Sequence, residues 1–188
     1  MARFTVQDEE KLRLLKSLDE EEQQKLMDIL TKYSGLQDQK MDERADRLLE
    51  RSFSPKERLE LEFETLAQAF EYRRRLLSDT ITASRVAEIL GTSRQTPHDR
   101  VKAQTLLAVQ DNGALRFPLW QFDPEGPDGV LRGFPAVLKA LQFSDFAKLS
   151  WFVRPNPFLD GRTPKEALKQ GDYEAVLQEA EAAGYGQN

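Results

Sequence analysis

Residues 91–100 read GTSRQTPHDR. Just upstream, TASRVAEIL carries Val86, Ala87, Ile89 and Leu90 at helical spacing behind Thr82, a residue suited to capping. Gly91 closes that run. Downstream, RVKAQTLL has the composition of a second helix. How the two join depends on Pro97. With Ser93 as cap, Pro97 is the fourth helical residue. It then lacks the N–H that would reach the Ser93 carbonyl and crowds that carbonyl, which costs up to about 3 kcal/mol. With Thr96 as cap, Pro97 takes the first helical position, where no N–H is needed, and Asp99 falls third, near the positive helix end. A residue before proline also resists helical angles. The sequence therefore predicts a Thr96 cap and a second helix that starts about one turn late.

The segment TLLAVQDNGALRFPLWQF comes next. Apolar strand residues flank Asp111-Asn112-Gly113, and Asn-Gly is the strongest short hairpin signal. Pro118 ends the second strand or lies at an edge. Helix, turn, helix, hairpin is the order of a winged helix-turn-helix, an architecture that reads duplex DNA. On that reading the candidate DNA contacts are Ser93, Arg94, Gln95 and Thr96 in the turn, and His98, Arg100 and Lys102 on the late helix. Asn112 and Arg116 lie on the wing. Solvated helix face and ordinary hairpin chemistry are the plain alternatives for the same residues. Trp120 and Phe122 read as core, plugging the joint between the wing and the C-terminal helices.

Three segments result. Residues 1–78 form a helical arm, almost free of glycine and proline from residue 8 onward. One helix starts at Ser17 or Asp19 and stops at Gly35, with Leu18, Leu26, Ile29, Leu30 and Tyr33 at helical intervals. Another opens with Ser54 as cap and Pro55 at the first position. Its stripe of Leu59, Phe63, Leu66, Phe70 and Leu77 must be buried, either within the chain or against a second copy in a homo-oligomer. Arg73, Arg74 and Arg75 complement the dipole at its C-terminal end. Residues 79–122 are the winged segment. Residues 123–188 open with the loop DPEGPDGVLR and continue as short helices. Thr163-Pro164-Lys165-Glu166 is a compact helix start. Asp172 is expected to cap the last helix and Gly184 to stop it. The fold class is mainly α with one small β-hairpin.

Charge restricts the partners. The 188 residues carry a net charge of −5. Residues 1–78 hold 15 basic and 18 acidic side chains, residues 79–122 hold 5 and 4, and residues 123–188 hold 7 and 10. Only the middle segment is not acidic, so phosphate contact is expected there and is weak in a single copy. The chain has no cysteine and one histidine, His98. That excludes disulfides and thiolate chemistry, fits a cytoplasmic protein and leaves no metal site. No apolar run is long enough to span a membrane, and MARFTVQDEEKLRLL has no secretory pattern. Neither a glycine-rich phosphate loop nor a nucleophile–histidine–acid signature is present, so neither catalysis nor a cofactor is expected.

Two stretches resemble a known family. ASRVAEILGTSRQTPHDRVKAQTLLAV with LRFPLWQF is similar to the DNA-binding half of bacterial Xre/MbcA/ParS-type antitoxins. WFVRPNPFLDGRTPKEALKQGDYEAVLQEAEAAG resembles their toxin-binding domain, and is the more specific match. Together they cover roughly residues 80–185, with the arm outside. The resemblance implies an antitoxin that occludes a RES-type, NAD-consuming toxin and represses its own operon. It assigns docking to Arg154, Asn156, Leu159, Arg162, Thr163 and Tyr185. Tyr185 would anchor the flexible end AAGYGQN in the partner's cleft. Arg154 and Arg162 have a second reading as pegs that hold the turn. This chain departs from the family in Pro97, where an apolar residue is usual, and in its long acidic arm. Two other functions fit the same residues: a stand-alone DNA-binding regulator, and a protein-interaction module with a vestigial helix-turn-helix.

Overall fold

A computed structural model describes residues 23–28 and 55–185. The expected starts at Ser17, Asp19 and Ser54, the stop at Gly35, and residues 186–188 lie outside the described residues. The chain divides into two compact units, residues 1–74 and 75–188.

In the first unit, residues 23–28 are helical. Most of helix α1 (Pro55–Leu77) belongs here. Leu26 and Phe70 are buried together, with Phe63 and Leu66 packed against them. Part of the predicted stripe is thus covered from within the same chain.

The second unit is mainly helical around a small antiparallel sheet. Strand β1 (Thr80–Thr82) leads into helix α2 (Ala83–Leu90), then helix α3 (Thr96–Lys102). Strands β2 (Val109–Asp111) and β3 (Ala114–Pro118) come after, and the sheet order is β1-β3-β2. Asp111 pairs with Ala114, so the hairpin loop is Asn112-Gly113 alone. Both residues have positive φ, 46° and 75°. That is the type I′ geometry that asparagine and glycine tolerate and that matches the twist of the strands. Thr82 caps α2 by accepting from the Arg85 N–H, and Gly91 closes it at φ 61°.

β1 is absent from the sequence reading. Thr-Ile-Thr favours extended backbone, but three residues at a helix start carry no periodicity. Here they pair with Arg116–Pro118 of β3. The apolar core beneath holds Val86, Leu106, Ala108, Phe117 and Val130, with Ile81, Leu90, Val101 and Phe122 packed around it.

The hairpin is shorter than LRFPLWQF suggests, because Leu119–Gln121 turn into a 3₁₀ segment after Pro118. That turn sends two neighbouring side chains to different tasks. Trp120 meets Phe134 edge-on at 5.7 Å and Phe152 at 5.1 Å. It joins the sheet to helix α4 (Phe134–Ala140) and helix α5 (Asp145–Val153). Gln121 is completely buried. Its Oε1 accepts from the Leu107 N–H at 2.8 Å, while its Nε2 donates to the carbonyls of Leu107 and Pro118 at 3.0 Å each.

Helices α6 (Pro164–Lys169) and α7 (Tyr173–Tyr185) complete the unit. Gly184 does not stop α7. The helix continues through it, and a Cβ there would come within 2.8 Å of the Ala140 carbonyl oxygen. Close approach to the end of α4, not a left-handed cap, explains this glycine.

Gln121→Leu removes the amide that satisfies both main-chain groups of Leu107. Leaving buried polar groups unpaired destabilises by about 2–4 kcal/mol in total. Denaturant unfolding is expected to show that loss as a lower midpoint.

Candidate functional site

The turn between α2 and α3 accommodates Pro97 one residue differently from expectation. Thr96 is the first residue of α3, and Gln95 sits at the cap position with helical angles and no side-chain cap. The cause is a tight turn that runs directly into the helix. The Thr96 N–H donates to the Ser93 carbonyl at 3.2 Å, taking the acceptor that Pro97 cannot serve. The Ser93 and Thr96 hydroxyls lie 3.1 Å apart. Pro97 is buried at the second helical position. The late start of the helix is as expected; the cap shifts by one.

The candidate DNA contacts fall into two groups. Ser93, Arg94, Gln95 and Lys102 are exposed, as is Asn112 at the hairpin tip, while Thr96 and His98 are half-buried. Gln95, Asp99 and Lys102 recur on one face at intervals of four and three residues. The Gln95 amide donates to the Asp99 carboxylate at 3.0 Å, so an acid sits inside this face.

The other group is engaged in the fold. The Arg100 guanidinium donates through NH1 to the Asp128 carbonyl at 2.8 Å and through Nε to the Thr105 hydroxyl at 3.2 Å. Burial pushes its pKa below the ordinary arginine range, and the Asp128 carboxylate offsets part of that. Arg116 donates to the Thr80 hydroxyl and carbonyl at 3.2 and 3.3 Å, tying β3 to β1. Both arginines act as struts.

The expected docking residues divide in the same way. Asn156 organises the turn before α6. Its Oδ1 accepts from the Phe158 N–H at 2.8 Å, and its carbonyl accepts from Leu159 and Gly161 at 3.0 Å each. Its Nδ2 donates to Glu179 on α7 at 3.1 Å. Leu159 is buried in the core. Arg162 donates through Nε to the Leu159 carbonyl at 3.0 Å and through NH1 to Gln170 at 2.7 Å and to the Asp172 carboxylate. Of its two sequence readings, the structure gives Arg162 the part of a peg. Asp172 uses its carboxylate on Arg162, while its carbonyl accepts from Val176 at the start of α7. Thr163 caps α6 in a reciprocal capping box with Glu166. Arg154 is exposed after α5. Tyr185 ends α7 at the limit of the described residues.

Sequence reasoning passed over Phe158, which is 81% exposed. The available signal was its setting, an aromatic residue between Pro-Asn-Pro and Asp-Gly where periodicity has no meaning. Among the described residues no cluster of histidine and acidic side chains could hold a metal ion. No described helix is long and apolar enough to cross a membrane.

Neither a protein-family model nor a curated protein matches this chain. Among solved structures, the NMR structure of Rv2175c is similar, with 26% identity over 56% of this chain and 81% of that one, at a TM-score of 0.48.

Hydrogen bonds from Thr163, the side chain first and the backbone second, hold the Glu166 carboxyl below the ordinary glutamate range, with Lys165 and Lys169 adding to the effect. A carboxyl depressed in the folded state favours folding above its unfolded pKa, and that contribution is lost as pH falls through the folded value. NMR titration is expected to place Glu166 below ordinary glutamates. Thr163→Ala should move it back up and reduce the loss of stability on acidification in that window. The backbone N–H of residue 163 still donates to the carboxylate in the variant, so an unchanged midpoint contradicts the hydroxyl's share of the effect.

Proposed function

We propose that this chain is an antitoxin-like DNA-binding regulator. Residues 79–122 act as a winged helix-turn-helix on duplex operator DNA. Residues 123–188 dock on a RES-type, NAD-consuming toxin and occlude it, and the arm of residues 1–78 brings two copies together. The protein performs no chemistry of its own. The observation that carries this reading is the arrangement of residues 83–118: two short helices around a tight turn, then a hairpin. Arg94, Gln95 and Lys102 are exposed on that turn and second helix, and Asn112 is exposed at the hairpin tip. Exposed cations beside polar side chains suit phosphate contact with limited base reading. The toxin partner rests on the resemblance of residues 151–184 to antitoxin docking domains.

One observation favours a second reading. Arg100 and Arg116 are engaged inside the fold, and Asp99 lies on the exposed face of α3. A chain that no longer reads DNA, and serves only as a protein-interaction module, retains such a surface. A stand-alone regulator without a toxin is the remaining alternative, and finding a RES-type reading frame beside this one would argue against it.

Salt-dependent binding to the upstream duplex separates these readings. The full chain is expected to bind with an affinity that falls steeply as salt rises. Arg94→Ala and Lys102→Ala should each weaken binding across all sequences and reduce the magnitude of the salt slope by about one, without loss of stability. No duplex binding at low salt favours the interaction module and excludes DNA regulation.

A further inference from the structure

The outer face of α3 presents hydrogen-bond acceptors in a fixed arrangement. Gln95 stands at the cap position, with Asp99 and then Lys102 following at intervals of about a turn, and all three are exposed. Pro97 is buried and Val101 packs on the core, so the helix is anchored by its other side. The Ser93 and Thr96 hydroxyls, 3.1 Å apart, brace the turn before it. Gln95 Nε2 donates to Asp99 Oδ1 at 3.0 Å. A carboxylate only accepts, so this contact fixes the amide: Nε2 turns toward Asp99 and Oε1 away from it. Gln95 Oε1 and Asp99 Oδ2 have no protein partner among the described residues. A glutamine and an aspartate four residues apart stabilise a helix slightly. That plain role accounts for the bond between them and leaves the two outward oxygens without a use.

Base-edge chemistry identifies what those oxygens accept from. In the major groove guanine presents the acceptors N7 and O6, and thymine the acceptor O4. A carboxylate is repelled by both. Adenine presents its N6 amino group beside the N7 acceptor, and is matched by an amide that offers acceptor and donor side by side. Here the Gln95 donor is turned to Asp99. Cytosine presents its N4 amino group and no acceptor, which suits an outward carboxylate and amide oxygen. The same carboxylate repels phosphate. It therefore lowers affinity for every duplex and is useful only through the sequences it rejects.

We infer that the Gln95–Asp99 pair sets the sequence preference of this face: its outward oxygens accept from the N4 amino group of a cytosine in the major groove of duplex DNA. The inference rests on the DNA-binding role proposed for residues 79–122 and deepens it. It gives the acid on α3, which by itself weakens phosphate contact, a part in excluding wrong sequences. Exposed Arg94 and Lys102, before and after the pair in the chain, hold the phosphates beside that base.

The test selects binding sites for the full-length chain from a pool of random-sequence duplexes and measures affinity for the selected duplex. A C·G pair is expected at a fixed position of the selected sites. Replacing it with G·C, A·T or T·A should weaken binding at least about tenfold. Asp99→Ala is expected to lose selection at that position, keep it at the others and bind random duplex more tightly than the parent. Asp99→Asn, which keeps the shape and adds a donor, should accept adenine there as well as cytosine. If Asp99→Ala selects the same base at every position, or the base it releases is not cytosine, the inference is overturned while DNA binding stands. Parent binding without sequence preference overturns it in the same way. If the parent binds no duplex at low salt, DNA regulation fails and the inference fails with it. If both variants lose all selection and melt at a lower temperature, the pair belongs to the fold and the inference is again overturned.

Discussion

A buried side-chain amide holds the second unit together. Gln121 saturates both main-chain groups of Leu107 and adds a bond to the Pro118 carbonyl, all without exposure to water. Its neighbour Trp120 enters the aromatic group formed with Phe134, Phe152 and Trp151. The two adjacent residues thus fix the small sheet to the helices C-terminal to it. An unpaired amide at that depth would be strongly unfavourable, so the geometry around Leu107 has little freedom. The turn at 91–95 and the turn at 154–163 are presented by one packed body, residues 75–188.

Within that body the arginines divide between structure and surface. Arg100 reaches across to the Asp128 carbonyl, in a loop where Asp128 itself takes a left-handed φ of 56°. Arg116 crosses the sheet, and Arg162 closes the turn at 154–163. A planar guanidinium with five donors suits such multiple main-chain bonds better than lysine does. The cations that remain exposed at the two turns include Arg94, Lys102 and Arg154. Their small number agrees with a chain of net charge −5.

Much of the fold was legible because its signals are local. Thr82, Gly91, Asn112-Gly113 and the Thr163–Glu166 box each specify a backbone conformation by themselves, and each is found where the sequence placed it. The failures are of another kind. β1 is too short for a pattern, and Gly184 carries a packing role that looks like a helix stop. Gln121 is a polar residue whose burial depends on Leu107, fourteen positions away. For the site, residue type was a poor guide to orientation. Arginines at 100, 116 and 162 resemble contact residues in sequence; long-range acceptors engage the first two, and acceptors within ten residues engage Arg162. Phe158 resembles core and points outward, because Leu159 takes the core site.

In the proposed function the C-terminal module blocks another protein's active site while the centre of the chain grips a promoter. Occlusion is read most directly as NAD consumption by a RES-type protein, the proposed partner class, titrated with the full-length chain. Turnover is expected to fall to background at a fixed stoichiometric ratio. Turnover that persists undiminished at a tenfold excess of this chain contradicts the proposal.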